Sequence, residues 1–136
     1  MRKAIALMLA AAMLMLLCAC GGNISRVTIK PFESERYEQA DVHAAIDSAL
    51  EYFREHFSGC SMISITYAGD AATAGYDDWI KLDPTEQVIV LTSSFEVGAL
   101  GGDGSLNPNS TYTNWKWILV RPIAGGEWRH ADHGYG

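Results

Sequence analysis

DVHAAIDSALEYFREHFSGC, residues Asp41 to Cys60, is the stretch on which the fold turns. Val42, Ile46, Ala49, Leu50, Phe53 and Phe57 recur at steps of three and four. That spacing stacks them into one apolar stripe on a helix. Asp41, Asp47, Glu51, Arg54 and Glu55 fall off the stripe. The pattern predicts a helix from about Gln39 to Phe57. Ser58-Gly59 stops it, with Gly59 suited to the left-handed position after a helix. His43 near the start and His56 in the last turn read as solvated surface, and a partly cationic imidazole at 56 suits the helix dipole.

Downstream of this helix the period changes from helical to alternating. Ser61 to Ala68 places Ile63, Ile65 and Tyr67 on one strand face. Gln87 to Val97 divides Ile89, Leu91, Phe95 and Val97 from Val88 and Val90. Tyr112 to Arg121 divides Trp115, Trp117 and Leu119 from Ile118 and Val120. Glu127 to Tyr135 is the last strand, reached by the turn signal Pro122-Ile123-Ala124-Gly125-Gly126. Gly69 to Pro84 is a connector with room for a short helical turn around Tyr76 to Leu82. The loop from Gly98 to Thr111 is longer than an ordinary hairpin loop. One helix followed by an antiparallel meander predicts an α+β layer fold with about four strands and a single core.

Upstream, Met1-Arg2-Lys3 is a basic start, and every residue from Ala4 to Leu17 is Ala, Ile, Leu or Met. This is the pattern of a secretory signal, and it falls short of the roughly twenty apolar residues of a spanning helix unless Cys18 to Gly22 is counted. Leu17-Cys18-Ala19-Cys20 resembles the bacterial lipoprotein box, with Ala19 before the cut and Cys20 as acceptor of a diacylglyceryl group. Ordinary signal cleavage is the other reading. The expected organisation is a signal peptide over 1–19, a lipidated N-terminus and tether over 20–33, and one domain over 34–136. The protein would be held by acyl chains outside the cytoplasmic membrane.

Removal of residues 1–19 leaves eight Lys and Arg against sixteen Asp and Glu, a net charge of −8. That excludes a nucleic-acid partner, which needs a basic face, and a polybasic attachment to anionic lipid. Cys18 is discarded and Cys20 acylated, so Cys60 stands alone as a buried, inert thiol. Two sequons, Asn23-Ile24-Ser25 and Asn109-Ser110-Thr111, carry little weight in a bacterial protein.

The run Ala44-Ala45-Ile46 to Tyr52-Phe53, then Phe57-Ser58-Gly59-Cys60 and Tyr67-Ala68-Gly69-Asp70, belongs to a wider pattern. With Asp103 to Tyr112 and the closing Trp128-Arg129-His130 to Asp132-His133-Gly134-Tyr135, it resembles a family of small Firmicutes-type lipoproteins of unknown function. That family is similar in shape to the NTF2-like, or cystatin-like, roll. The resemblance implies a curved antiparallel sheet wrapped on an N-terminal helix, often with a conical pocket. It brings no established activity and no catalytic residues.

Three constellations carry chemistry. Asp103, Ser105, Asn107 and Asn109 alternate as oxygen donors, but the Gly and Glu positions of a calcium loop are Pro108 and Asn114, so a self-bonded turn loop is favoured over a metal. Tyr67, Tyr112, Trp115, Trp117 and Trp128 form either an aromatic core or a ring-lined pocket. His130 and Asp132, on one face of the last strand, could tune an imidazole, while His133 falls on the opposite face and no His-x-x-His chelate forms. The candidate pocket residues are therefore Tyr67, Trp115, Trp117, His130 and Asp132, with no cofactor and no metal. The leading function is a lipid-anchored, non-catalytic domain binding a small ligand or a protein. The alternatives are a cone-pocket enzyme, with His130 or Asp132 as base and Tyr67 or Tyr112 as donor, and a structural module that dimerises through its sheet.

Overall fold

The computed structural model of the chain describes residues 21–78 and 83–135. The segment expected to be a signal peptide, Cys20 and part of the expected 76–82 turn lie outside the described residues. Elements run β1 (Thr28–Ile29), α1 (Gln39–His56), β2 (Cys60–Tyr67), α2 (Asp70–Ala74), β3 (Glu86–Val97), β4 (Thr111–Pro122) and β5 (Arg129–Gly134). The class is α+β, and the helix lies where the stripe predicts it.

The sheet is open and mixed, with its five strands in sequence order. This corrects an expectation of about four antiparallel strands. The two-residue β1 runs parallel to β2, pairing Thr28 with Ser64 and Ile29 with Ile65. The remaining neighbours are antiparallel. Residues 21–30, read from sequence as tether, are laid along the β2 edge. Asn23 N donates to Cys60 O at 2.8 Å, Met62 N to Asn23 O at 2.9 Å and Lys30 N to Ile65 O at 3.1 Å.

α1 buries Val42, Ala45, Ile46, Ala49, Leu50 and Phe53 against one sheet face. From the strands come Ile65, Ile89, Leu91, Phe95, Trp117 and Leu119, all fully buried. Leaving such side chains in water would cost about 1.5–3 kcal/mol each, which is why the sheet takes up α1 on this face. The opposite face holds Val88, Val90 and Ile118, partly covered by Ala68 and Tyr76 of the connector. The alternation read in β3 and β4 therefore holds on both faces at the residues singled out, although the β3–β4 pairing slips between Ser93 and Phe95. Gly59, at φ +74°, turns the chain from α1 into β2.

Two bulges revise the readings of β2 and β5. In β2, Met62 pairs with Phe95 and Ser64 with Ser94, so Ile63 is an extra residue. It is 38% exposed, while Cys60, Met62, Ile65 and Tyr67 face the core. In β5, Ile118 pairs with Asp132 and Leu119 with His130, so Ala131 is extra. A bulge shifts the alternation by one residue and sends the next side chain to the other face. The connector's described helix, Asp70–Ala74, lies ahead of the expected 76–82 turn. Asp70 accepts bonds from Ser34 Oγ (2.7 Å), Glu35 N (2.9 Å) and Tyr67 Oη (2.7 Å), joining the connector to the chain ahead of α1. These donors, Ser34 first, hold its carboxyl down at about 2.

Candidate functional site

The β5 bulge assembles the site. With Ala131 extra, His130 and His133 both turn to the inner face, opposite Leu119 and Trp117. Their ring nitrogens meet, Nε2 of His130 to Nδ1 of His133, at 2.8 Å. This overturns the expectation that the two histidines occupy opposite faces. It also separates His130 from Asp132, which sits opposite Ile118 on the outer face beside Tyr76 and Lys116. The Asp132 carboxylate accepts the His133 backbone N–H at 2.8 Å instead.

The helix supplies the other half. His130 stacks on Tyr52 with centroids 3.7 Å apart and planes 6° from parallel. His56 stacks on Tyr52 at 4.1 Å and 16°. Two rings so close and so parallel cannot share one face, so Tyr52 lies between His56 and His130. Residues 52 and 56 are neighbours on a helix surface. His56 and His43 are both exposed, as the sequence predicts, and each also meets a ring, His56 in this stack and His43 on Phe32 at 5.3 Å. Trp117 backs the cluster, 5.3 Å from His133 and 6.1 Å from Tyr52.

Burial is the first cause that pushes both His130 and His133 below the usual 6.5. In His130 the neighbouring His133 adds to the shift, and Asp132 opposes it in both. An N···N hydrogen bond needs one lone pair, so the pair survives only while at least one ring is neutral.

Beside this cluster opens a slot of about 310 Å³. Tyr52, His56, Phe57, Trp115 and His133 form one wall, and Gly102, Asp103, Ser105 and Leu106 of the 98–110 loop form the other. Cys60, 1% exposed, lines it between them. Burial, and then the Asp103 charge, pushes the Cys60 thiol up, which keeps it protonated, the opposite of an activated nucleophile. The loop holds itself. Asp103 accepts from Ser105 N at 2.9 Å and Ser105 Oγ at 2.5 Å, and Asn109 N donates to Gly98 O at 3.1 Å. The Ser105 hydroxyl is the first cause of an Asp103 carboxyl below its ordinary range. At Gly101, φ +71°, an added Cβ would stand 2.4 Å from Leu106 O, so the loop requires glycine there.

One buried polar atom of a slot-lining residue is unsatisfied. Trp115 Nε1 is the buried side-chain nitrogen or oxygen among the described residues that lacks a hydrogen-bond partner. Ser93 satisfies its surroundings otherwise, donating to Trp115 O at 3.1 Å and accepting from Trp117 Nε1 at 2.7 Å.

Of the residues singled out in the sequence, Trp115 lines the slot and Trp117 backs it. His130 faces a neighbouring groove with Asp47, Glu51 and Glu127. Tyr67 packs away from the slot, edge-on to Tyr37 and Phe32. Tyr112 stacks on Phe95 at 5.3 Å and accepts Asn107 N at 3.1 Å. Trp128 bonds Asp41 O at 3.1 Å. Sequence reasoning missed Tyr52, His56 and His133; the four-residue spacing of Tyr52 and His56 was the available signal. Among the described residues no three His, Cys, Asp or Glu side chains converge as a metal-holding group. No helix among them is long and apolar enough to cross a membrane. No family model matches the chain, and no curated protein or solved structure is found to match it.

Proposed function

We propose that this chain is a lipid-anchored domain outside the cytoplasmic membrane that binds a small ligand in the slot between α1, β4 and the 98–110 loop. The observation that carries the binding reading is the unpartnered, buried indole N–H of Trp115, one of the residues that line the slot. A buried donor without a partner costs about 1–3 kcal/mol and calls for an explanation. An acceptor on a ligand would supply one. The slot's volume lies at the small end of ligand pockets, and its mixture of rings with a few polar groups is their usual lining. A flat molecule with a hydrogen-bond acceptor on its edge fits that lining best.

The anchor rests on Leu17 to Cys20 and the apolar segment before it. The NTF2-like or cystatin-like roll, and membership of the lipoprotein family it resembles, are part of the same reading. A helix lying across the inner face of four long antiparallel strands supports them. The cone-pocket enzyme reading loses its acid–base pair, because His130 and Asp132 face opposite sides of the sheet. A fragment screen monitored on the Trp115 indole ¹⁵N–¹H resonance tests the binding reading. Binders should shift that resonance and compete for one site. A screen whose hits all leave it unmoved contradicts the proposal.

A further inference from the structure

The described chain is packed on the folded body from its first residue, Gly21. Gly21 and Gly22 lie against the C-terminal turn of α1. A Cβ added to either would stand 2.4 Å from a helix carbonyl, Arg54 O or Phe53 O. Gly22 N donates to Arg54 O at 2.9 Å, and the next residue, Asn23, bridges to Ser61. Gly21, the residue bonded to Cys20, is thus itself part of this packed turn.

The same corner of the molecule carries an apolar tip. Gly98 N donates to Gly59 O at 3.0 Å, and Gly101 N to Gly98 O at 3.2 Å, forming a tight turn with Leu100 at its apex. Leu100 is 86% exposed, the most exposed of the large apolar side chains among the described residues. The Gly59–Cys60 corner thus touches the chain leaving Cys20 on one side and the Leu100 turn on the other. Ile123, by contrast, follows the far end of the twelve-residue β4, roughly 40 Å away at about 3.3 Å per residue.

We infer that the Leu100 turn and the C-terminal end of α1 form a membrane-docking end, seated on the leaflet that holds Cys20. The inference rests on acylation of Cys20. The occupant is a lipid surface, because an acyl-anchored chain with no linker must bring this corner to the bilayer. The contact is apolar. Arg54, in the last turn of α1, is bonded to Glu51, and the body is acidic, so the contact does not depend on anionic lipid.

The test uses the full chain, processed and acylated in a bacterial host and reconstituted in phosphatidylcholine vesicles. Leu100→Cys and Ile123→Cys variants each carry an environment-sensitive fluorophore, with Cys60 protected by burial. Quenching by lipids spin-labelled in the acyl chain should be about threefold stronger at 100 than at 123, as for a side chain that reaches the headgroup and acyl boundary. Inserting a Gly-Ser linker of about 12 residues between Cys20 and Gly21 adds roughly 20 Å of slack and should bring position 100 down to the level of 123. Equal quenching at the two sites in the acylated, linker-free protein overturns the inference, as does a linker that changes nothing. Intact mass separates the premise: a mature chain without acyl groups overturns the anchor itself.

Discussion

Ser93→Ala should be among the most damaging small substitutions in this domain. Ser93 is 4% exposed, and its hydroxyl serves two buried groups at once, Trp115 O at 3.1 Å and Trp117 Nε1 at 2.7 Å. Alanine fills the same space minus one oxygen, so packing changes little. What changes is that the fully buried indole N–H of Trp117 loses its acceptor, and the Trp115 carbonyl loses a donor. Each stranded group costs about 1–3 kcal/mol, so the pair should cost about 3 kcal/mol. For a domain of this size that corresponds to a fall in Tm of roughly 10–20 °C. Urea unfolding is the assay, and the midpoint should drop with an unchanged slope. Adding Trp117→Phe removes the stranded donor, so the double variant should lose less than the sum of the two single losses. A Ser93→Ala cost below about 0.5 kcal/mol would refute the reasoning, since that is the range of substitutions touching no such network.

Other outcomes follow from the bulges in β2 and β5 and from the titrating groups. Ile63→Ser should leave stability within about 0.5 kcal/mol, because the bulge exposes Ile63, whereas Ile65→Ala should cost about 2–5 kcal/mol; equal costs by urea unfolding would mean an unbulged β2. His130 and His133 are held below 6.5 mainly by burial, so the unfolded chain binds their protons more readily than the folded one. Their contribution is complete above pH 6.5 and is lost as pH falls through their folded values, so Tm should decline on acidification from 6.5. His130→Phe keeps a ring on Tyr52 and removes one titrating group, which should flatten that decline; an unchanged slope would count against the buried pair. Asp70→Asn should lower Tm at neutral pH and reduce the loss of stability that wild type shows between pH 3.8 and about 2, because a carboxyl depressed in the folded state stabilises above its unfolded value and stops doing so as pH falls. A wild-type profile flat across that window would contradict the Asp70 network.

The helix and the two central strands were legible because their periods are set by burial alone. Val42 to Phe53 can hide only as one stripe, and β3 and β4 each have a partner on both sides, their own register slipping only between Ser93 and Phe95, outside the Val88–Leu91 and Trp117–Val120 stretches. The misreadings fall where alternation breaks. Nothing in Met62-Ile63-Ser64 or His130-Ala131-Asp132 marks an extra residue, yet each slip moves a side chain across the sheet. β1 was invisible because two residues have no period, and its pairing is decided by the edge of β2. The slot was only half legible. Trp115 stood out by alternation, but Tyr52, His56 and His133 become neighbours only after a bulge and a helix end have been placed. Asp103 was noticed for its oxygens and proves to spend them on Ser105.

The geometry of the site stands or falls with one juxtaposition, His130 against His133 and Tyr52. Nuclear Overhauser contacts among these three rings, recorded at pH 7 with selectively labelled histidine and tyrosine, test it directly. The bulge at Ala131 predicts contacts from His130 to both Tyr52 and His133, with one shared imidazole proton seen between Nε2 and Nδ1. A strand with regular alternation would leave His133 on the outer face, with contacts to Tyr76 and none to Tyr52, and that result would contradict the site described.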